Sequence, residues 1–143
     1  MSEKRIMGLD LGKKRIGVAV SDPLKVTAQP ITVIERSGIK KDLQQLAVLF
    51  ERYRVREVVL GYPVNMNGSI GPAALEAERF KEKLVREFGQ TVHLWDERLS
   101  TVFAEKVLIE ADMKRDLRRR KIDKVAATII LQSYLDARLA TEK

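Results

Sequence analysis

The chain has 143 residues, enough to bury a core but hardly enough for two, so one domain with one site is expected over residues 1–143. Its 27 lysines and arginines outnumber 20 aspartates and glutamates, a formal net charge of +7 that favours a polyanionic partner. With no cysteine, thiol nucleophiles, cysteine-ligated zinc and disulfides are excluded, and a reducing, cytoplasmic location is expected. No apolar run could span a bilayer, and Met1 to Arg5 lead straight into a short apolar run that breaks at Asp10 and Gly12. Neither a membrane partner nor a signal peptide is therefore expected.

Three strands open the chain, Arg5 to Leu11, Arg15 to Ser21 and Ala28 to Ile34, all rich in Ile, Val and Leu. The tight connection Gly12-Lys13-Lys14 and the turn Ser21-Asp22-Pro23 make an antiparallel meander the economical reading. From Ile39 the period becomes helical, with Leu43, Leu46, Ala47, Phe50 and Tyr53 on one side. A fourth strand, Glu57 to Tyr62, runs into a glycine-rich loop from Gly61 to Gly71. Pro72 then opens a second helix that Gly89 ends, and Thr91 to Asp96 form a fifth strand. A third helix is expected from about Ser100. A final helix follows the basic segment, with Ile122, Val125, Ala126, Ile129 and Ser133 on one side, and runs toward Ala140. The class is α/β: a five-stranded mixed sheet, antiparallel over strands 1 to 3 and then parallel through crossovers, flanked by helices.

Three acids are candidates for a site, with a helix cap or an Arg98 ion pair as the other reading of Glu97 and ordinary helix stabilisation as the other reading of Asp123. Asp10 interrupts a strand that is apolar on both parities, where a lone carboxylate is costly unless paired or bound to a metal, and Gly8 and Gly12 leave room for an approach to the backbone. Glu97 ends the fifth strand beside Asp96, and alternation sends the two to opposite faces without deciding which faces a site. Asp123 is expected in the first turn of the last helix, ahead of the small Ala126 and Ala127. Convergent carboxylates bind hard cations such as Mg2+ or Mn2+ through oxygen, which suits phosphodiester hydrolysis without a nucleophilic side chain. His93 is the only histidine and reads as a satisfied strand residue, which rules out histidine-rich mechanisms.

The cations are unevenly spread. Lys114, Arg115, Arg118, Arg119, Arg120, Lys121 and Lys124 crowd one segment, opposed there only by Asp116 and Asp123, an electropositive patch suited to nucleic acid.

Four segments carry a resemblance over nearly the whole chain: Gly8-Leu9-Asp10-Leu11-Gly12 with Arg15 to Asp22, Gly61 to Ser69, Asp96-Glu97-Arg98-Leu99-Ser100-Thr101, and Ile122 to Ala127. On these the sequence resembles the YqgF (RuvX) family of Holliday junction resolvase-like proteins, also described as pre-16S ribosomal RNA nucleases. The resemblance implies an RNase H-like fold and a metal-dependent nuclease, with Asp10, Glu97 and Asp123 as catalytic, metal-binding acids and Glu97 rather than Asp96 in the site. It implies processing of the 5′ end of 16S rRNA in ribosome biogenesis, with cleavage of four-way DNA as the alternative.

Further contacts to nucleic acid are assigned to Lys13 and Arg15, to Asn65 and Asn67 in the glycine-rich loop, and to Arg98, which would steady a phosphate or simply pair with Asp96. Ser100 and Thr101 read as capping residues. A monomer or weak homodimer is expected, since a junction-cutting enzyme would present two sites through a dimer. Two rivals remain. An actin-like nucleotide-binding fold would need a second domain, and a ribosome-assembly module would retain the acids without catalysis.

Overall fold

The computed structural model describes residues 4–101 and 116–141, the stretch 116–124 by its backbone alone. Three strands, β1 (Arg5–Leu11), β2 (Arg15–Ser21) and β3 (Ala28–Glu35), precede helix α1 (Ile39–Arg52), strand β4 (Val55–Tyr62), helix α2 (Pro72–Phe88) and strand β5 (Thr91–Asp96). A single 3-10 turn, Glu97–Leu99, follows β5, and a long helix, α3 (Asp116–Thr141), ends the described chain. The sheet order is β3-β2-β1-β4-β5. β1, β2 and β3 pair antiparallel, whereas β4 runs parallel to both β1 and β5. This is the mixed sheet expected from the sequence.

α3 is already helical at Asp116, so Asp123 lies in the helix interior and not in its first turn. The reason is local: Leu117, Arg118, Arg119, Arg120 and Lys121 are unbranched or γ-branched side chains with good helix propensity, and the basic run is itself helical. The helix expected from about Ser100 falls on residues 102–115, outside the described residues, as do Lys114 and Arg115. Ser100 itself is extended and closes the 3-10 turn.

Strand alternation splits the core into two layers. Met7, Leu9, Val18, Val58 and Leu60 meet Leu46, Phe50, Phe80 and Leu84 from α1 and α2. On the other face Ile6, Ala19 and Val59 meet Ala126, Ala127, Ile130, Leu131 and Leu135 of α3. Each fully buried Leu or Ile contributes about 1.5–3 kcal/mol by its removal from water, so both layers are well anchored. On the α3 side the helix lies close against β1. A Cβ on Gly8 would stand 2.7 Å from the Leu131 Cβ and 2.9 Å from the Ala127 carbonyl oxygen, so only glycine lets the helix backbone lie this close to β1.

Turn chemistry fixes the connections between the first three strands and on to α1. Gly12 N–H donates to the Arg15 carbonyl at 2.8 Å, closing the β1–β2 turn. Asp22 accepts from the amides of Val26 and Thr27 at 2.7 and 2.8 Å and shapes the β2–β3 connection. Arg36 reaches back from the end of β3 to the Gly12 carbonyl at 2.9 Å and ion-pairs with the buried Asp42 at 3.1 Å. The β1–β2 turn is thereby tied to α1.

Candidate metal and nucleic-acid site

Asp10 and Glu97 are both buried, at 2% and 4% exposure, and strand register explains how residues so distant meet. Leu9 pairs with Leu60, so the next step of the parallel β1–β4 register sets Asp10 beside Gly61. On the other side of β4, Gly61 pairs with Trp95 and Tyr62 with Asp96. Glu97 then turns back over β4: a Cβ on Gly61 would lie 2.8 Å from the Glu97 Oε2. With neighbouring strands about 4.8 Å apart, the Glu97 carboxylate sits over the strand next to Asp10.

The face is set by parity. Asp10 shares the face of Ile6 and Gly8, and Gly61 that of Val59, the side covered by α3. Asp96 follows Leu94 by two residues and shares its face, the α1–α2 side. In the sequence Gly61 belongs both to the fourth strand and to the loop that follows, with nothing local that sets it beside the acids. Its placement inside β4, among large apolar residues, was the available signal for a close approach.

Asp123 lies on α3, four residues before Ala127, whose carbonyl abuts the Gly8 position. α3 runs antiparallel to β4, since Tyr134 bonds Glu57 near the start of β4 while Ile130 abuts Gly61 near its end. The helix backbone at residue 123 is therefore on the way to the carboxyl ends of β1 and β4. Its side chain lies outside the described residues. Among the described residues no group of three histidine, aspartate or glutamate side chains is close enough to hold a metal ion.

The two described acids nonetheless fit a divalent cation. They supply oxygen donors alone, as hard cations prefer.

The residues assigned to nucleic acid divide sharply. Lys13 is exposed on the β1–β2 turn. Arg15 is mostly covered, its side chain 12% exposed and bonded through Nε to Glu35 at 3.2 Å. Arg98 grips Asp96, with Nη2 to Oδ2 at 2.7 Å and Nε to both oxygens at 3.1 Å, and its Nη1 donates to the Met66 carbonyl at 3.4 Å. The hydrogen bonds from Arg98 hold the Asp96 carboxyl below its usual range and the guanidinium above its own. Asn65, Asn67 and Ser69 bond one another: Asn65 Nδ2 donates to Ser69 Oγ at 2.9 Å, and Ser69 N–H to Asn67 Oδ1 at 3.0 Å. This loop and Arg98 are a preformed rim beside the acids. Arg118, Arg119, Arg120, Lys121 and Lys124 occupy the first turns of α3.

Ser100 caps the 3-10 turn, its hydroxyl donating to the Glu97 carbonyl at 3.1 Å, and Thr101 is an exposed turn residue. His93 bonds Glu57 at 2.7 Å and stacks on Tyr134, away from Asp10.

A sheet of order 3-2-1-4-5 with two acids at the carboxyl ends of β1 and β5 is a pattern to compare with known proteins. The model of the RuvX family, described as Holliday junction resolvase, matches residues 4–137. The chain belongs to the RuvX family. It is 53% identical over 132 residues to a protein of Syntrophomonas wolfei, covering 92% of this chain and 94% of that one. It is 55% identical over 133 residues to one from Myxococcus xanthus, covering 93% and 88%. Both bear the name "Putative pre-16S rRNA nuclease". Among solved structures, RuvC of Thermus thermophilus bound to a Holliday junction aligns with a TM-score of 0.57 at 16% identity, over 96% of this chain and 97% of that one. The fowlpox virus Holliday junction resolvase aligns with a TM-score of 0.51 at 19% identity, over 93% and 99%. These two likenesses show a shared fold, the RNase H-like fold of the resolvases. Membership of the RuvX family makes the chain a nuclease, a hydrolase of nucleic-acid ester bonds. No helix among the described residues is long and apolar enough to cross a membrane.

Proposed function

We propose that this nuclease cleaves structured RNA, trimming the 5′ end of the 16S rRNA precursor in the cytoplasm, with Asp10, Glu97 and Asp123 as its metal-binding acids. The observation that carries the reading is the burial of Asp10 and Glu97 on one sheet face, with the Glu97 carboxylate lying over Gly61 of β4, the strand between theirs. Desolvated carboxylates are costly unless their charge is used, and adjacent buried acids are a common catalytic signature. The substrate follows the names of the relatives from Syntrophomonas and Myxococcus.

A bound Mg2+ or Mn2+ would activate water and stabilise charge on the leaving oxygen. The chain's own contribution is geometric. β1 and the 3-10 turn carry two buried carboxylates, and the α3 backbone would bring Asp123 toward the same edge. The Arg98–Asp96 pair braces the loop carrying Met66 beside the acids. Lys13 on its turn and the basic first turns of α3 draw the phosphate backbone toward that edge.

Four-way DNA is the second reading, favoured by the description of the matching family. Precursor rRNA and four-way DNA are incubated with the protein, with Mg2+ or Mn2+, beside Asp10→Asn and Asp123→Asn. Metal-dependent cleavage of rRNA that both substitutions abolish is the expected result. Cleavage indifferent to either substitution overturns the site, and tight binding without cleavage by the wild type supports an assembly module. Solution mass separates the substrates further, because junction cutting calls for a dimer and the RNA reading is compatible with a monomer or weak homodimer.

A further inference from the structure

We propose that Ser133 is a positioning residue for Glu97, resting on the reading of Glu97 as a metal-binding acid. The Ser133 hydroxyl accepts a hydrogen bond from Trp95 Nε1 at 3.0 Å and donates one to the Leu99 carbonyl at 3.3 Å. Trp95 stands two residues before Glu97 and Leu99 two residues after, so one hydroxyl on α3 brackets the turn that presents the acid. Within the turn, the Glu97 carbonyl accepts from the Ser100 amide at 3.2 Å and from its hydroxyl. The turn is closed on itself and fastened to α3 through the Ser133 hydroxyl.

That hydroxyl matters because α3 also carries Asp123, ten residues earlier, or about 15 Å along the helix axis. Glu97 and Asp123 come from separate parts of the chain, and Ser133 is a direct polar link between the two elements that bear them.

The neighbours of Ser133 keep the helix from sliding. Gln132 accepts from the Ala28 amide at 2.8 Å and donates to the Val26 carbonyl at 2.9 Å, holding α3 to the β2–β3 side of the sheet. Tyr134 donates to Glu57 Oε2 at 2.7 Å, holding it to β4. Loss of the Ser133 hydroxyl therefore leaves the helix in place and loosens the Glu97 turn alone. The role requires a group that accepts and donates at once, which serine and threonine supply and alanine does not.

Outer contacts that orient metal-binding side chains alter affinity or activity by about 10–100-fold when removed. Ser133→Ala is expected to lower kcat by about 10-fold or more with KM for RNA unchanged, and to weaken Mn2+ binding by calorimetry by a similar factor. Ser133→Thr is expected to restore both. In metal-free protein, Ser133→Ala should speed hydrogen exchange at the Ser100 amide while exchange in the α3 core stays at the wild-type rate. Trp95→Phe, which keeps a ring but drops the N–H, should shift the same three readouts in the same direction and serves if Ser133→Ala does not fold. Unchanged exchange and Mn2+ affinity in the folded variants, or equal losses in Ser133→Ala and Ser133→Thr, overturn the proposal. Wild type and Asp10→Asn run alongside. Absence of metal-dependent cleavage in the wild type counts against the nuclease site itself, while the exchange measurement still decides whether Ser133 holds the turn.

Discussion

The Glu97 carboxylate rests against the bare α-carbon of Gly61, with its Oε2 2.8 Å from where a Cβ would stand. Nothing larger than glycine fits between the turn after β5 and the middle of the sheet, because the Ile130 Cδ1 closes the same space at 2.7 Å. Gly61→Ala is therefore expected to push Glu97 aside. Cleavage should fall by at least about 10-fold, while overpacking costs about 1–3 kcal/mol of stability. Single-turnover kinetics beside a urea titration measure both, and activity retained at the wild-type level would show that Glu97 has no fixed place in the reaction.

Gly8→Ala probes the helix instead of the acid. Its Cβ would meet the Leu131 Cβ and the backbone oxygen of Ala127, neither of which can rotate away. A loss of about 1–3 kcal/mol is expected in chemical denaturation, since α3 must lift from β1.

Asp42 is fully buried at the start of α1, where it accepts from Arg36 Nε at 3.1 Å and from the Ser37 amide at 2.9 Å. Asp42→Ala would leave the Arg36 guanidinium short of its partner, and breaking such a buried pair costs about 3–5 kcal/mol. Thermal unfolding should show a drop larger than that for Glu76→Ala, whose side chain is 46% exposed at the other end of the same arginine.

Glu57 sets an acid limit on stability. Desolvation pushes its pKa upward, but hydrogen bonds from Tyr134 and His93, with the charges of His93 and Arg138, outweigh it and leave the carboxyl below its ordinary 4.5. A folded-state value below the unfolded one means stability that is fully present above the unfolded value and lost as pH falls through the folded one. The Tm gap between wild type and Glu57→Gln should narrow as pH falls below the ordinary carboxyl value of 4.5. A gap that widens below that value would contradict the sign.

Arg118→Ala with Arg119→Ala should weaken RNA binding and flatten its dependence on salt, each lost phosphate contact reducing the logarithmic slope by roughly 0.7–0.9. Filter binding from low to moderate salt provides the slope, and an unchanged one removes these arginines from the interface.

His93 illustrates how far local reading reaches. As a strand residue it was expected to be satisfied by neighbours, and Glu57 and Tyr134 supply them. Arg98 shows the limit: the sequence left open a phosphate contact or an Asp96 partner, and the structure places its guanidinium on Asp96 and the Met66 carbonyl. The start of α3 was misplaced because a dense basic run looks like a connecting segment, although its side chains favour a helix.

By itself the sequence determined the five strands, the first two helices, the basic charge and the acids that break apolar patterns. Those signals are local, carried by periods of 2 and 3.6 residues and by turn residues a few positions apart. Only the tertiary structure decided that Glu97 turns to the α3 face beside Asp10 while Asp96 takes the other, that Gly61 is the gap between them, and that Ser133 ties the Glu97 turn to the last helix. Such convergence depends on strand order and on the register of parallel pairs, which join residues dozens of positions apart and leave no period in the chain.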